Sequence, residues 1–284
     1  MRSSSHPGDR AKESDSDQTG QQNSDHSHSG HALYIVGAGP GEQAHMSGRA
    51  KEVLGFVDIV VGYKTYLDII EPVIQGKKTL ATGMTKEVDR VEAAIDAALN
   101  GQSCALVSGG DPGVYAMAGL VLEVLANRKI ACNTSAENNL KVEVIPGIPA
   151  LCAGAALLGA PLTHDFAAIS LSDLLTPWEL IEKRLAAAAS ADFVIVIYNP
   201  KSKKRDWQLN KAREIILEHR PGTTPVGVVT GAMRENQRIQ LSSLENLHMA
   251  DVDMQSIVFV GNSSTFIYGD LMITPRGYSK KYDI

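Results

Sequence analysis

The chain has 284 residues, of which 44% are hydrophobic and 21% charged, as in a globular protein long enough for about two ordinary domains. Its formal net charge of −5 argues against general binding to nucleic acid, because neutralising phosphates requires a basic face. No run approaches the roughly twenty apolar residues of a membrane helix, so a membrane partner is not expected either.

The three cysteines, Cys104, Cys132 and Cys152, are odd in number and lack the spacing of metal ligands. They indicate reduced thiols in a cytoplasmic protein, and they predict no metal centre of its own. Residues 1–31 are polar, with almost nothing to bury, and predict a disordered tail. This tail contains three potential metal ligands, His26, His28 and His31, but solvated side chains explain them more simply than a metal site.

The first ordered element is predicted at 32–36, an apolar strand that runs into a turn over 37–41, Gly-Ala-Gly-Pro-Gly. The turn is similar to a dinucleotide-binding fingerprint, which would favour a nucleotide-dependent oxidoreductase. That fingerprint needs a third glycine where this chain has Glu42, and Pro40 removes an N–H that a pyrophosphate would use. We therefore predict a turn that a ligand approaches closely, and the oxidoreductase remains a weak alternative.

Alternating helices and strands are predicted through the next part of the chain. Tyr63 and Tyr66 follow the second strand, where they either cap the core or form an aromatic wall for a flat ligand. The expected elements are a helix near 46–54, a strand over 57–61, a weaker strand over 77–80 and an amphipathic helix over 86–100.

The most informative stretch is 105–115, Ala-Leu-Val-Ser-Gly-Gly-Asp-Pro-Gly-Val-Tyr. A buried strand runs into a turn and then into a helix, and ligands bind in such crevices at the carboxyl ends of parallel strands. Gly109 and Gly110 lack a Cβ, so a ligand can lie directly on the backbone, and Asp111 adds an anionic acceptor. This stretch predicts a ligand-binding crevice.

A further strand over 142–145 ends in the turn Pro-Gly-Ile-Pro-Ala, so three Gly/Pro turns are expected at one edge of one sheet. A small, apolar helix is predicted to follow, over 150–159. Beside it we place the boundary between an N-terminal domain, 32–150, and a C-terminal domain, 151–284.

In the second half, polar side chains at Ser170, Ser172 and Asp173 interrupt a strand-like run, where they are either satisfied locally or face a cleft. Four cations follow the next buried strand and favour either an anion cradle or a solvated loop: Lys201, Lys203, Lys204 and Arg205. The remaining predicted elements are helices over 177–188 and 207–219 and strands over 193–198, 225–230 and 257–260.

Five landmarks occur in an order that resembles the tetrapyrrole (corrin/porphyrin) methyltransferases, and this resemblance extends from about Ala32 to the C-terminus. They are 37–41, 108–112, 146–150, 169–173 and 198–200. Within the family, three runs are most similar to the branch that methylates C17 of precorrin-3B in cobalamin synthesis. These runs are 170–178, 198–205 and 261–265.

The resemblance implies two α/β domains with a cleft between them that holds S-adenosylmethionine, usually in a homodimer. It implies C-methylation of precorrin-3B or its cobalt form, with contraction of the ring. Candidates for proton transfer during contraction are Asp173, Ser172 and His164. Carried over position by position, the implied cofactor contacts are Pro40, Gly109, Gly110, Asp111, Pro149, Ala150, Tyr198 and Val229. Candidates for binding the carboxylates of the ring are Ser170, Lys201, Lys203, Lys204, Arg205 and Arg234.

Three further interpretations remain open. The chain could be a sibling methyltransferase that acts at another ring carbon. It could also be the related diphthamide enzyme, which methylates a protein. A non-catalytic tetrapyrrole carrier would not need the backbone pocket predicted at Gly109, Gly110 and Asp111.

Overall fold

The computed structural model describes residues 32–83, 85–135, 139–202 and 205–283. The predicted tail, with His26, His28 and His31, lies outside the described residues, as do Lys203 and Lys204. Within the described ranges, no helix is both long and apolar enough to cross a membrane.

Five parallel strands form the first sheet. They are β1 (Ala32–Gly37), β2 (Ile59–Tyr63), β3 (Lys78–Thr82), β4 (Ser103–Ser108) and β5 (Lys141–Ile145). Their order is β3-β2-β4-β1-β5, so β1 lies between β4 and β5. Every residue of β1 and β4 is buried, because helices cover both faces of the sheet.

Helices α1 (Gly48–Phe56) and α2 (Lys64–Ile69) cover one face, and α3 (Glu87–Leu99) and α4 (Met117–Asn127) cover the other. The helix predicted to start near Met46 starts at Gly48, because the Ser47 hydroxyl caps it by accepting a hydrogen bond from the Ala50 N–H at 3.2 Å. Helix α2 was not predicted.

The second half contains a small helix, α5 (Ala150–Leu158), and a mixed sheet in the order β10-β9-β11-β8-β7. Strands β7 and β8 are parallel, and the other neighbours are antiparallel. The ranges are β7 (Phe166–Ser170), β8 (Val194–Tyr198), β9 (Pro225–Thr230), β10 (Arg238–Ser243) and β11 (Ser256–Val260). A three-stranded sheet is formed by β6 (Gly159–Ala160), β12 (Phe266–Tyr268) and β13 (Leu271–Ile273).

Helices α6 (Trp178–Ser190) and α7 (Gln208–Leu217) cover one face of the mixed sheet, and α5 covers the other. The small residues of α5 allow this close contact, since a Cβ on Gly154 would lie 2.8 Å from the ring of Phe259 in β11. The predicted α/β class is confirmed, with one five-stranded sheet in each half of the chain. The domain boundary remains a prediction and falls between β5 and β7.

Candidate active site

The carboxyl ends of β4, β1 and β5 are neighbours, and the three Gly/Pro turns that follow them pack directly on one another. Gly39 and Gly110 exchange two backbone hydrogen bonds, of 3.1 and 2.8 Å. A Cβ on Gly37 would lie 2.6 Å from the Gly147 nitrogen and 2.7 Å from the Gly110 carbonyl oxygen. The prediction that three turns meet at one sheet edge is confirmed, and the contact between backbones explains why glycine stands at these positions.

The carboxylate of Asp111 joins two of these turns. Its Oδ1 accepts a hydrogen bond from the Gly113 N–H at 2.8 Å, within its own turn. Its Oδ2 accepts one from the Gly147 N–H at 3.1 Å, in the turn after β5. Asp111 therefore has a structural role in joining the two turns. The remaining lone pairs of its oxygens are still available to a ligand.

A pocket opens between this edge and the second half of the chain. It is lined by Ala38, Gly39, Pro40, Gly41, Tyr66, Ile69, Gly109 and Arg234. Tyr66 lies against Gly109, where a Cβ would come within 2.5 Å of the ring, and the ring of Tyr63 stands edge-on behind it at 5.6 Å between centroids. Tyr66 therefore lines the pocket and also packs against the core, so both interpretations suggested by the sequence fit its position.

The loop after β9 closes the other side of the pocket. Arg234 donates a hydrogen bond from Nε to the Pro40 carbonyl at 2.7 Å, and the Glu42 N–H donates to the Met233 carbonyl at 3.1 Å. The first turn of the N-terminal half thus touches the C-terminal half directly. The structure does not support a side-chain contact between Val229 and a ligand, because Val229 is fully buried against α5 and β11.

Tyr198, at the end of β8, lies beside the start of α5. Its hydroxyl accepts a hydrogen bond from the Leu151 N–H at 3.0 Å, next to Pro149 and Ala150. Burial raises the pKa of Tyr198 to about 12, so this hydroxyl keeps its proton at neutral pH. The contact brings the predicted cofactor residues Pro149, Ala150 and Tyr198 together.

Polar side chains gather where the parallel strands β7 and β8 end. Ser170 is in register with Tyr198, and its hydroxyl accepts hydrogen bonds from the Ser172 N–H at 3.2 Å and from Asn199 Nδ2 at 2.9 Å. Asp173 Oδ2 accepts one from Gln208 Nε2 at 2.9 Å. Three sequence candidates, Ser170, Ser172 and Asp173, therefore share one strand end beside the predicted cofactor residues.

The predicted anion cradle is only partly supported. Arg205 is 8% exposed, and it donates from Nε to the Asn199 carbonyl at 3.2 Å and from a terminal nitrogen to the Ser172 hydroxyl at 3.5 Å. It fixes the loop from within, because a buried guanidinium needs hydrogen-bond acceptors. Lys201 is exposed, and Lys203 and Lys204 lie outside the described residues.

His164 lies apart from these residues, in the turn before β7. Its Nδ1 accepts a hydrogen bond from the Asp165 N–H at 2.8 Å. Ser170 ends the same strand, about 16–20 Å away at the rise of an extended chain. The structure therefore does not bring His164 together with Ser172 and Asp173 as a proton-transfer group.

Three residues of the site were missed in the sequence. Asn199 has φ +50° and donates to Ser170, and Gln208 is 2% exposed and donates to Asp173. Tyr115 belongs to the first half of the chain and donates a hydrogen bond to Ala168 in the second. The only signal in the sequence was position: Asn199 and Tyr115 lie inside the motifs 198–200 and 105–115, and Gln208 follows the run 198–205.

The sequence model of the tetrapyrrole (corrin/porphyrin) methylases matches residues 32–248. The chain is 47% identical over 252 residues to "Cobalt-factor III methyltransferase" of Priestia megaterium, a match that covers 89% of this chain and 46% of that longer protein. It is 47% identical over 247 residues to "Probable cobalt-factor III C(17)-methyltransferase" of Salmonella typhimurium (strain LT2), covering 87% and 99%. The solved structure "Crystal structure of the methyltransferase CobJ" has a TM-score of 0.78 at 35% identity, covering 86% of this chain and 99% of that one.

Proposed function

Because the chain belongs to the tetrapyrrole (corrin/porphyrin) methylase family, we propose that it methylates C17 of a corrinoid precursor, precorrin-3B or its cobalt form. The reaction includes contraction of the ring and belongs to cobalamin synthesis. The observation that carries the proposal is that a glycine-lined crevice lies beside the polar strand end at Ser170, Ser172 and Asp173. Tyr198 joins the two, because it is in register with Ser170 and accepts a hydrogen bond from Leu151. The methyl donor is S-adenosylmethionine.

The chemical groups around the crevice suit S-adenosylmethionine. Gly109 lines the pocket and carries no side chain that would cover its backbone, whereas the N–H and C=O of Gly110 are paired with Gly39 and shape the crevice. Asp111 supplies an anionic acceptor for the ammonium group of the amino-acid part. Tyr66, in the pocket lining, and Tyr198, beside the start of α5, supply flat rings against which an adenine would pack. When bound, the sulfonium supplies an already activated methyl group.

The chain's own contribution to methyl transfer is then mainly alignment. An in-line attack by a ring carbon needs the two reactants held in one orientation more than it needs an acid or base. The contact of Arg234 with Pro40 and the hydrogen bond from Leu151 to Tyr198 hold the crevice against the second sheet. Ring contraction also moves a proton, and Asp173, held by Gln208, is the residue we assign to it.

The carboxylates of the ring require local cations, since the whole chain carries a net charge of −5. Arg234 lines the pocket and donates a hydrogen bond from Nε to the Pro40 carbonyl. Lys201 is exposed just after the end of β8. We assign these two and Ser170 to the substrate. Arg205 acts indirectly, through the loop that it fixes.

We also propose that the chain works as a homodimer in the cytoplasm, as the family resemblance implies. Exposed apolar side chains on β12 and β13 are the candidates for the interface. They are Phe266, Ile267, Tyr268 and Leu271.

Calorimetric titration with S-adenosylhomocysteine, the demethylated product, tests the donor site. Micromolar binding is expected, and NAD should neither bind nor raise the melting temperature. Binding of NAD in place of S-adenosylhomocysteine would favour the oxidoreductase and contradict the proposal.

Asp111→Ala is expected to weaken S-adenosylhomocysteine binding about tenfold or more, which corresponds to at least about 1.4 kcal/mol. It should also lower the free energy of unfolding by about 1–3 kcal/mol, because the Gly113 and Gly147 N–H groups lose their acceptor. Calorimetry and urea denaturation measure the two effects. Asp89→Ala, at an exposed ion pair on α3, is the control and should change neither by much. Unchanged affinity in Asp111→Ala would remove this carboxylate from the site.

A further inference from the structure

Tyr115 lies in the turn between β4 and α4, four residues after Asp111. Its φ is +51°, in the left-handed region that side chains other than those of glycine, asparagine and aspartate rarely adopt. The residue is 53% exposed, so complete burial of its ring does not account for this conformation. Such a backbone persists where surrounding contacts hold it.

Two contacts of the Tyr115 side chain reach the second half of the chain. Its hydroxyl donates a hydrogen bond to the Ala168 carbonyl in β7 at 2.8 Å. Its ring lies 4.9 Å from the ring of Tyr198 in β8, centroid to centroid, at an angle of 52°. The residue therefore joins the turn of the crevice to both strands whose ends carry the polar cluster.

The positions of these two contacts show which parts of the site Tyr115 holds in place. Ala168 lies two residues before Ser170 and five before Asp173, and Tyr198 is in register with Ser170. Gly110 and Asp111 lie on the same turn as Tyr115. Tyr115 therefore contributes, beside the contact of Arg234 with Pro40, to holding the groups assigned to the methyl donor in place relative to those assigned to the ring.

We propose that Tyr115 is a positioning residue that sets the distance between the donor crevice and the ring-binding strand ends. The inference rests on the proposed methyl transfer and adds a residue to it. Positional errors of about 1 Å cost an aligned reaction up to about a hundredfold in rate, whereas the affinity of either site alone depends on its own contacts. Tyr115 should therefore govern turnover more than binding.

Tyr115→Phe removes the hydrogen bond to Ala168 and keeps the ring. We expect kcat for methyl transfer to fall about tenfold, the scale of one lost hydrogen bond, with the KM for S-adenosylmethionine within about twofold of wild type. Tyr278→Phe, at an exposed tyrosine near the C-terminus, is the matched control and should be unchanged.

Tyr115→Asn removes both contacts with a residue that tolerates the left-handed region, and it should lower kcat further, about a hundredfold. S-adenosylhomocysteine affinity should fall much less, because only the packing of the Tyr198 ring is lost from the donor site. Unchanged kcat in both variants would overturn the inference. So would a loss of affinity as large as the loss of kcat, since Tyr115 would then be a wall of the donor site. A wild-type chain without methyl transfer would contradict the proposed function as well, whereas an active wild type with unchanged variants contradicts the inference alone.

Discussion

Gly147→Ala is expected to reduce S-adenosylhomocysteine binding about 100-fold or more, equal to about 2.7 kcal/mol. A Cβ at this position would overlap the Gly110 carbonyl oxygen and lie 2.9 Å from the carbonyl carbon and oxygen of Gly37. Because all of these are backbone atoms, no side chain can rotate away, and the three turns must separate. We also expect the free energy of unfolding to fall by about 3 kcal/mol, as in overpacked cores.

The control for this variant is Gly55→Ala in α1, where a new Cβ meets nothing within 4 Å. Alanine favours a helix over glycine by about 1 kcal/mol, so this variant should be as stable as wild type or more so, with unchanged affinity. Calorimetry and urea denaturation of both variants make the comparison. Normal affinity in Gly147→Ala would show that the packed turns do not form the donor site.

Asp173→Asn is expected to lower the rate of ring contraction about 10²–10⁴-fold, the contribution of a positioned general acid or base. Asparagine keeps the shape of the side chain and an acceptor for Gln208, but it cannot exchange a proton. S-adenosylhomocysteine affinity should stay within about twofold of wild type, because the hydrogen-bond partner of Asp173 is Gln208, which is not assigned to the donor. Turnover is followed by absorbance of the ring and by the mass of the product.

Asp165→Asn is the matched control, because Asp165 is an exposed aspartate just before the opposite end of β7. Its turnover should equal that of wild type. Equal turnover in Asp173→Asn as well would reduce Asp173 to a structural partner of Gln208 and leave the proton-transfer role unassigned.

The sequence was most informative where local chemistry alone decides the structure. Buried apolar runs predicted β1 and β4, the short run Val-Glu-Val-Ile predicted β5, and the glycine and proline turns after the three strands predicted the edge where they meet. The strand β10 (Arg238–Ser243) was missed, because a mostly exposed edge strand with polar residues lacks a buried face and so shows no apolar pattern. The short hairpin strands β12 and β13 were missed for a related reason, because each has only three residues.

The site was less predictable, because its geometry depends on contacts between distant segments. Nothing in the run of cations after β8 distinguishes Arg205, which turns inward, from Lys201, which is exposed. Val229 was carried over from the family resemblance, yet its strand is covered on both faces. Tyr115 became visible as a candidate only once the fold had brought it to Ala168, 53 residues further along the chain.

The central claim is methyl transfer to C17, and the most direct test is turnover with S-adenosylmethionine carrying a ¹³C-labelled methyl group. Purified chain is incubated with precorrin-3B, and separately with its cobalt form, and each product is examined by mass spectrometry and NMR. We expect one labelled methyl group on C17 of a contracted ring with one of these two substrates. A labelled methyl group on another carbon would assign the chain to a sibling reaction, and an unlabelled ring with either substrate would contradict the account.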